Sequence, residues 1–388
     1  MASLNIALKG KLNYPEAEGW FDSVVKALEE GSYSALCIDC RELEYLSSIW
    51  LRQMLKVKKK GYEIRCVNVS RDVYEIFEMT GFTNVLQVKK ALREIAIDED
   101  KLLARGSVGT VYKLREDMII KVFHSGVSFD MVRREREYAK SVFLAGIPTV
   151  ISYDIVKVND RYGIVYEMAD ADTFSAYLSA HMDRFDDLAG KYAGLLKQIN
   201  RTSFAPGRFP AAKELYRQYV EQSGFLSAEE KETLYRLIDA VPERTTLLHG
   251  DFHANNIMLH ENELTLIDLG DATLGHPVFD LASMVVSHIL VGGYQPEFIK
   301  RGMGLDVGVC RRLMESTLRS YFAGDSEDEI GRKEKIIRSF AHLKLACMYT
   351  IVPGIENVVT YRPLEDARKV LFTDPDALIA DLKETESW

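Results

Sequence analysis

Over residues 1–88 the apolar positions switch repeatedly between a two-residue and a three-to-four-residue spacing, the mark of short strands alternating with helices. Leu4–Leu12 alternates like a strand. From Pro15 to Glu30 the residues Trp20, Val24, Val25 and Leu28 share one helical face, which Gly31 ends. Ala35–Asp39 reads as a buried strand. Ser47 stands as an N-cap for a helix through Trp50, Leu51, Met54, Leu55 and Val57 to Gly61. Tyr62–Val69 is strand-like, Arg71–Met79 a helix ending near Gly81, and Val85–Val88 a last strand. Such alternation predicts a largely parallel or mixed sheet with helices packed on it. The charged run over 88–100 is the expected boundary, dividing the chain into residues 1–90 and 91–388.

Beyond it further strands and a helix can be placed from the pattern. Strands flank the loop within Ala104–Tyr112. A turn at Arg115–Asp117 leads into the strand Met118–Phe123, then a helix over Phe129–Leu144. Tyr162–Ala169 is a strand running into a connector. Two short apolar strands, Thr245–Leu248 and Ile257–Leu259, bracket a polar loop, and another ends at Asp268. The fold class is therefore α+β.

Length and composition narrow the picture. At 388 residues, 47% apolar and 28% charged, the chain has material for two or three folding units. A net charge of −9 argues against general nucleic-acid binding, which needs a basic stripe. Five cysteines are too few and too scattered for a disulfide framework, and point to a reducing compartment. Cys37 and Cys40 have C-x-x-C spacing, but residues three apart on a strand face opposite ways, so they read as unrelated. No signal peptide is visible. The most apolar stretches, Ala282–Gly293 and Leu345–Ile355, are too short and too interrupted to span a bilayer. The expectation is a cytoplasmic protein with no membrane and no nucleic-acid partner.

The chemistry concentrates in three places. Leu247–Leu259 contains His-Gly-Asp-x-His-x-x-Asn between strands. Phosphoryl transfer needs a carboxylate beside the attacking hydroxyl and, close by, an oxygen ligand for Mg²⁺; Asp251 and Asn256 supply both. Seventeen residues after Asp251, a buried strand ends in Asp268-Leu-Gly, a second metal carboxylate on an adjacent loop. Gly106, Ser107 and Gly109 form a glycine loop that lets backbone N–H groups approach phosphates. Lys121, inside the next apolar strand, needs a partner there. Glu137, sixteen residues on, is the first choice and Glu135 the second. The connector around Glu167–Ala169 would offer backbone groups to adenine. Asp280 stands at a helix start, where an N-cap is the plainer reading.

These residues resemble the aminoglycoside phosphotransferase and choline kinase-like family over residues 96–388. The resemblance implies a bilobal protein-kinase-like fold with a β-rich N-lobe over about 96–168 and a helical C-lobe over about 169–388, ATP and Mg²⁺ as cofactors, and a small-molecule hydroxyl as acceptor. It also suggests that Asp280 clamps the catalytic loop. Typical protein kinases carry His-Arg-Asp and a lysine where this chain has His253. The departures are Ala104 for the first glycine and Leu269 for phenylalanine. Residues 1–90, through Leu43–Arg52 and Gly61–Val69, resemble the STAS domain of anti-sigma factor antagonists. That implies a protein partner and a regulatory phosphosite at the helix start, here Ser47 or Ser48, in a degraded motif. A phosphate there adds nearly two negative charges at a helix N-terminus. Two rival readings stand beside the small-molecule kinase: a serine protein kinase in a partner-switching pathway, and a nucleotide-binding scaffold.

Overall fold

The computed structural model describes residues 2–106, 108–169, 171–260, 262–351 and 362–388, the side chains of 348–351 excepted. Ser107 and the end of the Leu345–Ile355 stretch lie outside the described residues. The chain divides into two compact units: Met1–Ala96 with Val156–Asp160, and Ile97–Ile155 with Arg161–Trp388.

The first unit runs β1 (Ser3–Leu12), α1 (Tyr14–Ala17), α2 (Trp20–Glu30), β2 (Ala35–Leu46), α3 (Ser48–Lys59), β3 (Glu63–Val69), α4 (Arg71–Met79) and β4 (Gln87–Lys90). The strands pair parallel in the order β1-β2-β3-β4. Leu36, Ile38, Ile64 and Cys66 bury the sheet against Leu28, Met54, Val57 and Phe77 of the helices. Three expectations change. The helix expected from Pro15 breaks at Gly19, whose φ of 74° is left-handed, and β2 continues to Leu46 because apolar residues keep recurring on its buried face. The last strand starts at Gln87, after a 3₁₀ turn over Phe82–Asn84. Ser47 has the extended backbone of an N-cap, but its hydroxyl makes no capping bond and is buried without a partner. Ser48, the first helical residue, is exposed. All five cysteines are free thiols.

In the second unit, four neighbouring strands of one sheet lie in the order Arg161–Glu167, Met118–Phe123, Gly109–Arg115, Leu102–Arg105. The helix Phe129–Leu144 starts under Ser128, whose hydroxyl accepts the Met131 N–H at 3.3 Å. The helical lobe is built on Phe185–Arg201, where Leu188, Tyr192, Leu195, Leu196 and Ile199 keep one face apolar. Phe174, Phe252 and Phe340 complete its centre. Between the helices sit two short antiparallel pairs, Ile257–His260 with Glu263–Leu266, and Leu247–Leu248 with Thr273–Leu274. Their loops carry the polar motifs. The fold is α+β: a parallel-sheet domain followed by a unit with a β-rich lobe and a helical lobe. Among the described residues no helix is long and apolar enough to cross a membrane.

Candidate active site

The buried strand Leu247–Leu248 delivers His249 into a loop that must turn sharply. Gly250 does so at φ 83°, and a Cβ there would lie 2.2 Å from the Asp271 carbonyl oxygen, so glycine is required twice over. Asp280 holds this loop. Its Oδ2 accepts the His249 N–H and its Oδ1 the Gly250 N–H, both at 2.8 Å, while Asn200 Nδ2 donates to Oδ2 at 2.9 Å. Asp280 is therefore a loop clamp rather than an N-cap, the cap position being Pro277. His249 Nδ1 accepts the Asp251 N–H at 3.2 Å, which leaves Nε2–H to donate to the Ile267 carbonyl at 3.1 Å. It joins the two loops and does not reach the cleft.

Asp251 lies on the cleft floor, surrounded by protein yet open on one side. Burial pushes its carboxyl up. The hydrogen bond from His253, 3.3 Å away, and the positive charge of Lys344 outweigh that and hold it well below the usual carboxylate range. His253 Nδ1 accepts the Asn255 N–H at 3.2 Å, so Nε2 is the nitrogen turned to Asp251. Asn256 donates its amide N–H to the Asp251 carbonyl at 2.9 Å, which frees its side-chain oxygen as an acceptor or metal ligand.

Asp268 follows the strand Glu263–Leu266 in a left-handed conformation, φ 59°, uncommon for a non-glycine residue and typical of functional loops. Its Oδ1 accepts from Lys121 Nζ at 2.9 Å, and Lys121 also donates to Glu135 Oε1 at 2.9 Å. Burial alone would push the Lys121 ammonium down, but Glu135 and then Asp268 more than restore it, so it stays charged. Burial pushes Glu135 up despite Lys121, and the Tyr166 hydroxyl donates to its Oε1 at 3.0 Å.

The partner of Lys121 is thus Glu135, not Glu137. In the helix Phe129–Leu144 the buried face is Val132, Glu135, Tyr138, Ala139 and Val142, at spacings of three and four. Glu137 falls off that stripe and lies 4.0 Å from Arg208. Counting the helical period back from Val142 would have found the right residue.

At the glycine loop the Gly106 N–H donates to the Gly109 carbonyl at 2.8 Å. A Cβ on Gly109 would meet the Val122 carbonyl oxygen at 2.7 Å, so glycine lets the loop lie against the lysine-bearing strand. Glu167 ends the strand Arg161–Glu167 with its carboxylate accepting the Ile151 N–H at 2.7 Å, and Ala169 stands two residues further. Between them, the Met168 N–H donates to the Asp117 carbonyl at 2.9 Å.

Among the described residues no three His, Cys, Asp or Glu side chains gather as a metal site. The amide oxygen of Asn256 and the Asp268 carboxylate are two oxygen donors, which fits Mg²⁺, an ion that completes its shell with water and phosphate oxygens. Beside Asp251 opens a cavity of about 440 Å³ whose wall includes Tyr216, Tyr219, Phe298 and Met303, with Asp271 and Lys344 as its further charged residues. Those two were not singled out from the sequence. Asp271 lies three residues after Asp268; Lys344, 94 residues from Gly250, was visible only as a lysine interrupting an apolar helix.

The phosphotransferase enzyme family model matches residues 101–305, and the STAS domain model matches residues 4–95. No curated protein matches the chain. Among solved structures, a choline/ethanolamine kinase family protein from Mesorhizobium loti is 14% identical, covers 73% of this chain and 92% of its own, at a TM-score of 0.48. The ADP-bound aminoglycoside phosphotransferase APH(2'')-Ib is 17% identical, covering 80% and 98%, at 0.45. The amicoumacin kinase hAmiN, in complex with AMP-PNP, Ca²⁺ and Ami, is 13% identical, covering 77% and 93%, at 0.47. With its family match spanning more than half of the 388 residues and a STAS domain ahead of it, the chain belongs to the phosphotransferase enzyme family.

Proposed function

We propose that the protein moves the γ-phosphoryl group of ATP to a hydroxyl of a small molecule. The hydroxyl oxygen forms the new bond to phosphorus, the bond from phosphorus to the β–γ bridging oxygen breaks, ADP leaves, and the hydroxyl proton passes to Asp251. The observation that carries this reading is Lys121, hydrogen-bonded at 2.9 Å to both Glu135 and Asp268, with Asn256 and Asp251 on the next loop. Lys121 would hold the ATP phosphates, the backbone of Gly106, Ser107 and Gly109 would cover them, and the backbone at Glu167 and Ala169 would receive adenine. Asn256 and Asp268 would hold Mg²⁺, which supplies charge neutralisation on the phosphates. Because Asp251 is a weak base, its main work is to orient the hydroxyl and take the proton late; positioning and electrostatics carry the rate. Free thiols and an ATP donor suit a cytoplasmic setting.

The test is transfer from γ-labelled ATP with Mg²⁺, with and without a deproteinised bacterial extract. Label should enter a small molecule, stop with EDTA, and fall about 10²–10⁴-fold in Asp251→Asn while nucleotide still binds. Equal transfer by Asp251→Asn would end this reading.

A second reading rests on the exposure of Ser48 at the first position of α3 in a STAS domain. Residues 1–90 would then be a regulatory domain with a protein partner, and the kinase lobe would label Ser47 or Ser48. Phosphopeptide mapping after incubation with ATP separates the two; unlabelled serines after full turnover exclude the second.

A further inference from the structure

The cavity beside Asp251 is walled largely by aromatic and aliphatic side chains, yet two groups of opposite charge, Asp271 and Lys344, line it. Among the described residues neither has an oppositely charged side chain within ion-pair distance. Burial first, then the neighbouring Asp251 charge, push the Asp271 carboxyl up, and the Lys344 charge offsets this only in part. Lys344 donates to the Gly250 carbonyl and to Ser283 Oγ, and Ser283 itself donates to the same carbonyl at 3.0 Å. Those bonds hold its ammonium beside the Gly250–Asp251 loop, where it feels Asp251 and Asp271 without pairing with either. Each charge in such a wall is expensive until a counter-charge arrives. A purely cationic acceptor meets Lys344 and a purely anionic one meets Asp251 and Asp271. Only an acceptor carrying both signs answers both walls.

We infer that the acceptor is a small hydroxylated zwitterion, its ammonium set at Asp271 and its acid group at Lys344, with an apolar portion against Tyr216, Tyr219 and Phe298. This rests on the phosphotransferase reading above and names the substrate class of that site. Lys344 is at the same time a positioning residue for the Gly250–Asp251 loop.

The test uses the full chain and a deproteinised bacterial extract in three portions: untreated, amine-acylated with N-hydroxysuccinimidyl acetate, and carboxyl-amidated with carbodiimide and methylamine. Asp251-dependent transfer of label from ATP should occur with the first portion and be lost with both others. Loss on acylation alone would overturn the inference in favour of a cation, loss on amidation alone in favour of an anion, and loss on neither in favour of a neutral alcohol; all three leave the phosphotransferase standing. No Asp251-dependent transfer from the untreated extract would overturn both. With the labelled fraction as substrate, Asp271→Asn and Lys344→Met should each raise KM about tenfold or more, which equals about 1.4 kcal/mol of acceptor binding. Lys344→Arg, which keeps the charge, should recover most of the loss. Lys344→Met that lowers kcat alone, with KM unchanged, would make Lys344 purely a positioning residue and overturn its share.

Discussion

Lys121 shows how one buried charge organises its neighbours. A lysine in an apolar strand is tolerable because Glu135 and Asp268 both reach it, and Tyr166 in turn satisfies Glu135. Removing one member strands the others, at about 3–5 kcal/mol for a buried pair. Glu135→Gln should therefore lower both thermal stability and transfer rate, while Glu137→Gln, half-exposed beside Arg208, should change either by little; parallel melting and transfer assays check this. Two buried histidines set an acid limit. Burial depresses His288 and His276 to about 4, from an ordinary 6.5. Both stay neutral in the fold while the unfolded chain takes up protons below 6.5, so stability is full above that value and is lost as pH falls toward 4. The loss is up to about 3 kcal/mol for each. Melting temperature followed from pH 7 to pH 4 should show it, and His288→Leu should flatten part of the slope.

The catalytic loop is a small element held from both sides. Asp280 takes two of its N–H groups, and Ser283 and Lys344 donate to its Gly250 carbonyl. The π-helical turn over Val286–Leu290 follows the Asp280 helix, and the one-residue widening is a device common near functional sites. Gly250 is the element's weak point. Gly250→Ala would combine a left-handed φ with a clash on the Asp271 carbonyl, so the loop must shift or the lobe must open. Transfer activity should fall by at least about a hundredfold, matching a misplacement near one ångström. Gly324→Ala, also at positive φ but in open space, should leave transfer intact while costing only modest stability. Kinetics on the two variants side by side separate loop geometry from a general glycine effect.

The molecule holds two separate apolar cores, one in each compact unit. Calorimetry should therefore resolve two unfolding transitions, and ATP with Mg²⁺ should raise only the one belonging to the kinase-like unit. Saturation a hundredfold above Kd is worth about 2.7 kcal/mol there. Met54→Ala, in the STAS core, should lower only the other transition, by about 2–5 kcal/mol. A single transition raised as a whole by nucleotide would show instead that the units unfold together.

Much of this protein was readable along the chain. Period-two and period-three-to-four patterns placed Arg71–Met79, Met118–Phe123 and Phe129–Leu144 at their observed bounds. Local spacing singled out Asp251, Asn256, Asp268 and Lys121, because a short loop between two strands holds such residues in nearly fixed relation. Left-handed breaks were harder: Gly19 divides a helix whose apolar stripe looked continuous, since a glycine inside such a pattern has no outward sign of its φ. The choice of Glu135 over Glu137 was latent in the helix period yet needed the sheet to say which face turns inward. Asp271 and Lys344 belong to the fold alone. Nothing local marks a residue whose role comes from a partner 94 positions away, and only packing the long helix Glu327–Ile351 against the Asp280 helix brings that lysine to the cleft. Sequence period fixes what lies within one element; charges that meet across elements are decided when the elements pack.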